Sequence, residues 1–173
     1  WALDESGTPA TAADATGNGN TLTYYNSPSP GTGIINNGIV TVAASSQYGE
    51  GGTTLASTLS STTSFSISFW GKRSAGGSFA AKIGTSGNPT WGVECNSTRI
   101  YLSAVTNFGY IDNSSTSWMH CVLTYDGTQS TNATKFLFYI DSVQQSLSFS
   151  GTIASTLPAS VSAASVGRGN TAI

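Results

Sequence analysis

SWMHCVLTYDG, residues 117–127, is the stretch from which the fold is read. Met119, Cys121, Leu123 and Tyr125 fall on one side of a pleated strand, and Trp118, His120, Val122 and Thr124 on the other, the two-residue period of extended backbone. Asp126-Gly127 then supplies turn chemistry. After a polar loop through Asn132, KFLFYID resumes the alternation, so the two segments are expected to pair as a hairpin with one buried face.

Working outward, 173 residues suffice for one domain with a two-layer core. Charged residues make up only 8%, against roughly 25% in ordinary soluble domains. Hydroxyls and amides must therefore carry the solvation. A net charge of -2 with six scattered Lys and Arg offers no basic stripe for phosphate backbones, which excludes nucleic acid as a partner class. No apolar run approaches the length that crosses a bilayer, so membrane insertion is not expected. The 38% of apolar residues, placed in alternation, separates the chain from disordered polar sequences and points to packed all-β structure. The opening at Trp1, without Met or a charged apolar leader, is expected of a processed product or a fragment. Cys95 and Cys121 each sit on the apolar side of a strand and read as two buried thiols. A disulfide between them would need Cα atoms within about 7 Å.

Taken in order, WALDESGT is extended and breaks at Ser6-Gly7, and the loop around Gly17–Asn20 leads to a short strand. NSPSPGTG reads as punctuation. GIVTVAASSQYGEGG is expected as a strand from Ile39 to Ala43 with a polar continuation through Tyr48. SFSISFWGK is a strong strand, with Phe65, Ile67 and Phe69 toward the core and Ser66, Ser68, Trp70 and Lys72 opposite. FAAKIG, TWGVECN and RIYLSAV are further strands, the last two forming a hairpin about Asn96-Ser97. A loop marked by Pro158 precedes a last strand, ASVGRG. No helical period exceeds a turn or two, and ten to twelve short strands at this spacing predict an antiparallel two-sheet sandwich. No fixed repeat favours a solenoid or propeller.

Six pieces in this order, WALDE-SGT, ADATGNGNTLT, SFSISFWGK, SWMHCVLTYDG, KFLFYIDSV and ASVGRG, make the chain similar to laminin-G-like domains of the concanavalin A-like lectin/glucanase superfamily. The resemblance implies that residues 1–173 form a single jelly-roll domain of two curved antiparallel sheets, a fold used for glycan or protein recognition outside the cell. Family members carry a further strand, rich in acidic and aliphatic residues, after the GR motif, whereas this sequence stops at Ile173. Lack of a closing strand leaves a sheet edge unpaired. The chain is therefore expected to belong to a longer protein or to an assembly that covers that edge.

Enzymes of the superfamily cleave β-glucans with clustered carboxylates, since glycoside hydrolysis needs an acid and a nucleophile or base roughly 5–10 Å apart. Here Glu94 stands alone in its strand, and Glu5 and Glu50 are in loops. A serine nucleophile would need the one histidine, His120, together with an orienting carboxylate. The chain is therefore expected not to be an enzyme. Asp14, Asn18 and Asn20 in DATGNGN offer hard oxygen donors among glycines that let carbonyls turn inward, which suits Ca²⁺. The resemblance carries such a site to Asp14 and Asn18 first. A plain Asx/Gly turn uses the same side chains, and both readings stay open. Trp70, Tyr101, Trp118, His120 and Tyr139 lie opposite the apolar core positions and form the candidate surface for a glycan or protein partner. Rings there can stack on a sugar's apolar face, unless loops cover them. Sequons at Asn96, Asn113 and Asn132 indicate surface positions.

Two functions are expected from this reading. The first is a non-enzymatic, calcium-stabilised recognition or adhesion module at an extracellular, cell or virion surface. The second is a structural subunit of a virion or cell-surface assembly, as a decoration, fibre or filament component, joined along an open sheet edge.

Overall fold

A computed structural model describes residues 1–74, 79–85, 88–104, 106–157 and 163–167. In chain order the strands are β1 (Thr11–Ala12), β2 (Leu22–Tyr25), β3 (Ser29–Thr32), β4 (Asn37–Val40), β5 (Tyr48–Glu50), β6 (Ser64–Gly71), β7 (Ala80–Thr85) and β8 (Asn88–Cys95). They continue as β9 (Arg99–Ala104), β10 (Asn107–Asp112), β11 (Met119–Asp126), β12 (Phe136–Ile140), β13 (Val143–Gln144), β14 (Ser148–Ser150) and β15 (Ala164–Val166). Helix α1 spans Thr53–Leu59 and α2 spans Asn132–Lys135. A nine-stranded antiparallel sheet runs β1-β2-β5-β15-β7-β8-β9-β10-β14, a four-stranded one β13-β12-β11-β6, and β3 pairs with β4 alone. Among the described residues no helix is long and apolar enough to cross a membrane.

Strand β11 is the keel of the smaller sheet. Its alternation is realised in full: Met119, Cys121, Leu123 and Tyr125 are at most 3% exposed, and the residues between them are half-buried. It pairs with β12 (Leu123↔Phe138) as the expected hairpin and with β6 (Leu123↔Ile67) on its other side. Trp91, Val93 and Cys95 of β8, with Ile100, Leu102 and Ala104 of β9, share one core with these side chains. The two sheets thus pack face to face, and Phe65 meets Trp91 across the interface at 4.7 Å between ring centroids. Each large side chain buried this way contributes roughly 1.5–3 kcal/mol. A satellite cluster of Ala12, Leu22 and Tyr24 is closed by Leu3, Ile39 and Val166. β8 and β9 form the expected hairpin, with Cys95 opposite Ile100. Cys95 and Cys121 are free, buried thiols, one on each facing sheet. Burial pushes the Cys121 thiol up to about 12 and raises Cys95 as well.

Several local expectations are corrected. SPGT, read as punctuation, forms β3, because Pro30 lies in an isolated two-stranded ribbon where a missing N–H is tolerated. The strand expected from Ile39 to Ala43 ends at Val40 and gives way to a 3-10 turn at Ala43–Ser45, where Gln47 Oε1 accepts the Val42 N–H at 2.9 Å. Helix α1, on which the sequence reading made no assignment of its own, stays within the turn or two allowed to any helical period and forms despite its Thr content, since a helix places Leu55 and Leu59 on one side against the core. The last described strand, β15, lies inside the large sheet between β5 and β7. The Pro158 loop and Arg168 of the GR motif fall outside the described residues, whereas Gly167 of that motif is described and takes left-handed backbone, φ 75°.

Candidate recognition surface

The outward face of the four-stranded sheet is built by the alternation that buries its other side. Register places Trp70 of β6 opposite His120 of β11, and Val122 between Ser68 and Tyr139 of β12. The Trp70 and His120 rings lie 5.0 Å apart, tilted by 32°. Ser68 Oγ is 2.9 Å from His120 Nε2, so the imidazole is held from two sides. The His120 N–H donates to Asp141 Oδ1 at 2.9 Å, and the Asp141 N–H donates to the His120 carbonyl at 3.0 Å. The chain turn after β12 is thereby clamped to the start of β11, at a place where Asp141 and Ser142 take left-handed backbone, φ 49° and 69°. Trp70 remains 46% exposed, while His120 and Tyr139 are half-buried. An indole packed on a neighbouring imidazole presents an apolar plate beside the Ser68 hydroxyl and the His120 ring.

The five candidate residues do not form one platform. Trp70, His120 and Tyr139 share this face. Trp118 precedes β11, and its indole lies against β4, where a Cβ on Gly38 would sit 3.6 Å from Trp118 Cη2. Tyr101 requires a correction. It belongs to β9 of the other sheet and is only 6% exposed, packed beside Phe108 at 5.5 Å and Tyr110 at 6.3 Å. Phe108 and Tyr110 on β10, with the Arg99 guanidinium 4.6 Å from the Tyr110 ring centroid, make an aromatic cluster that the sequence reading missed. The alternation in NFGYID was its only sequence signal.

The Asp14 loop is tied internally. Asp14 Oδ1 accepts the Thr16 N–H at 2.8 Å and the Thr16 hydroxyl at 2.6 Å, and Oδ2 accepts the Asn20 N–H at 2.9 Å. These bonds, led by the Thr16 hydroxyl, lower its pKa to about 2. Asn18 is exposed, and Asn20 Oδ1 is buried without a hydrogen-bond partner. Among the described residues no three His, Cys, Asp or Glu side chains converge as a metal cluster.

Glu94, the carboxylate that stands alone in its strand, is 3% exposed and faces Lys82 at 3.5 Å on the side of the large sheet turned away from the core. The sequon asparagines are half-buried and engaged. Asn96 Oδ1 accepts the Thr98 and Arg99 N–H groups, both at 2.9 Å, and Asn132 bridges the Gly151 carbonyl and the Ile153 N–H, also both at 2.9 Å. Asn113 Oδ1 accepts from Ser115 N–H and from Arg73, each at 3.0 Å. Compared with known proteins, the chain matches no family model, no curated protein and no solved structure.

Proposed function

We propose that the chain is a non-enzymatic recognition module with a laminin-G-like jelly-roll fold, working at an extracellular, cell or virion surface and binding a glycan or a surface partner. The single observation that carries this reading is Trp70: almost half exposed on a flat sheet face, yet held by His120 and bordered by Ser68. A sugar's apolar face stacks on such an indole, and its hydroxyls find the Ser68 hydroxyl and the Asp141 carboxylate nearby. The motif order and the two packed sheets support the jelly-roll assignment. Calcium enters the proposal as a loop stabiliser held by Asn20 Oδ1, Asn18 and a remaining lone pair of Asp14, whose carboxylate offers about four acceptor sites and uses three.

The test is a glycan array followed by calorimetry on wild type, Trp70→Ala and, as a control in the other sheet, Tyr110→Ala, each with calcium and with chelator. A ligand lost with Trp70→Ala and retained with Tyr110→Ala supports the reading. A ligand indifferent to Trp70, or no ligand at all, overturns it. A melting temperature unchanged by chelator removes calcium from it.

A further inference from the structure

Five described asparagines precede a glycine or a serine, the small residues that least obstruct approach to the next amide nitrogen: Asn18, Asn26, Asn37, Asn96 and Asn113. Four of them are held. Asn26 Nδ2 donates to the Ser46 carbonyl at 2.8 Å and Asn37 Nδ2 to the Glu5 carbonyl at 3.3 Å, while Asn96 Oδ1 and Asn113 Oδ1 accept backbone N–H groups of their own turns. Asn18 differs. Its side chain is exposed and makes no hydrogen bond among the described residues, and neither does the Gly19 N–H that follows. Gly17 and Gly19 both take left-handed backbone, φ 77°, and a Cβ on either would meet nothing within 4 Å. Bordered by glycine on both sides in open space, the chain at this point is free to bring the Gly19 nitrogen onto the Asn18 side-chain carbonyl carbon. Gly38, the other glycine that follows an asparagine, lies in the β3–β4 ladder opposite Gly31. Gly127, which follows Asp126, donates its N–H to the Thr63 carbonyl at 2.7 Å.

We propose that Asn18 is a site of spontaneous deamidation in the folded chain, and that the fold protects Asn37 from the same reaction. The Gly19 nitrogen, its proton lost to hydroxide, attacks Asn18 Cγ. A C–N bond forms, the bond from Cγ to Nδ2 breaks and ammonia leaves, closing a succinimide ring over the backbone. Water then opens either of the ring's two carbonyls, giving aspartate at this position or an isoaspartate whose main chain runs through the side-chain carboxyl. One water enters and one ammonia leaves in all. Either product places a new carboxylate in the loop that Asp14 ties together. At Asn37 the same attack first requires the ladder at Gly38 and the bond to the Glu5 carbonyl to open, which slows it by roughly tenfold or more. This chemistry is independent of what Trp70 or the Asp14 loop binds.

Peptide mapping by mass spectrometry, on the purified chain incubated with chelator at mildly alkaline pH, tests this. The mass gain of amide-to-acid exchange is followed at both asparagines, natively and in urea. Asn18 is expected to convert at about the same rate in the two conditions, and Asn37 roughly tenfold more slowly in the native chain than in urea. Native conversion at Asn18 is expected to quicken as pH rises. Asn18→Gln, shown to be folded by circular dichroism, is expected to lose the main acidic form that ion exchange resolves from aged wild type. An Asn18 that converts about tenfold more slowly natively than in urea overturns the proposal. So does an Asn37 that converts natively as fast as Asn18, a native rate indifferent to pH, or an acidic form undiminished in Asn18→Gln.

Discussion

Replacing Arg73 by alanine should be among the most damaging single changes away from the apolar core. Its guanidinium is buried, 2% exposed, just beyond β6. Nε donates to the Ser115 carbonyl at 3.0 Å, Nη1 to the Asn96 carbonyl, and Nη2 to the Asn113 carbonyl and to Asn113 Oδ1, the last at 3.0 Å. One side chain thus ties the β8–β9 turn to the connection between β10 and β11, without a carboxylate partner among the described residues. Hydrogen bonds to a charged group contribute about 1.5–3 kcal/mol each, so the four lost contacts set an upper bound of roughly 6–12 kcal/mol. The acceptor residues are half-buried, so water entering the vacated space recovers part of this, and so does relief of the buried cation's desolvation. A net loss of about 3 kcal/mol remains, which lowers the melting temperature of a chain this size by roughly 6–12 °C. Urea titration and thermal melts measure it. Arg73→Lys should recover only part, because a point ammonium cannot fork toward three separated carbonyls. A loss below about 1 kcal/mol for Arg73→Ala, or full rescue by lysine, would refute the reasoning that this fork holds the loops together.

The Asp14 carboxylate is held in the folded chain near 2 against an ordinary 3.8, so its contribution is complete above about pH 4 and is lost as pH falls through about 2. Thermal melts across that acid window should fall more steeply for wild type than for Asp14→Asn, and parallel curves would contradict the loop geometry. Cys121 and Cys95, 0% and 6% exposed, should be silent to a thiol reagent in the native chain and titrate as two thiols in denaturant. Fewer than two thiols in the denatured, unreduced chain would show a disulfide where the structure has none.

Much of the architecture was legible because the relevant signal is local. In β6, β11 and β12 a period of two assigns each side chain to a face without knowledge of the partner strand, and turn residues at Asp126-Gly127 and Asn96-Ser97 mark where the chain reverses. Trp70 was placed correctly on the outward face for this reason. Exposure is a different matter. Tyr101 has the same outward phase on its own strand, yet Phe108 and Tyr110 from β10 pack beside it, and only the strand pairing brings them there. The Ser68–His120 contact joins residues 52 positions apart, and Arg73 reaches carbonyls 23 to 42 positions away. No spacing rule in the sequence encodes such distances.

By itself, then, the sequence determined the all-β class, the inward faces of β6 and β11 and the hairpins β8–β9 and β11–β12, because backbone pleat and turn chemistry act over a few residues. Tertiary structure alone decided that β15 enters the sheet between β5 and β7, that TTLASTL winds into a helix over the core, and that Trp70 is open while Tyr101 is closed. It also decided that β6 is left as the one long bare edge among the described strands of the two larger sheets. Burial and strand pairing depend on which distant segments arrive to share a surface, and that is settled by the packing of the whole chain.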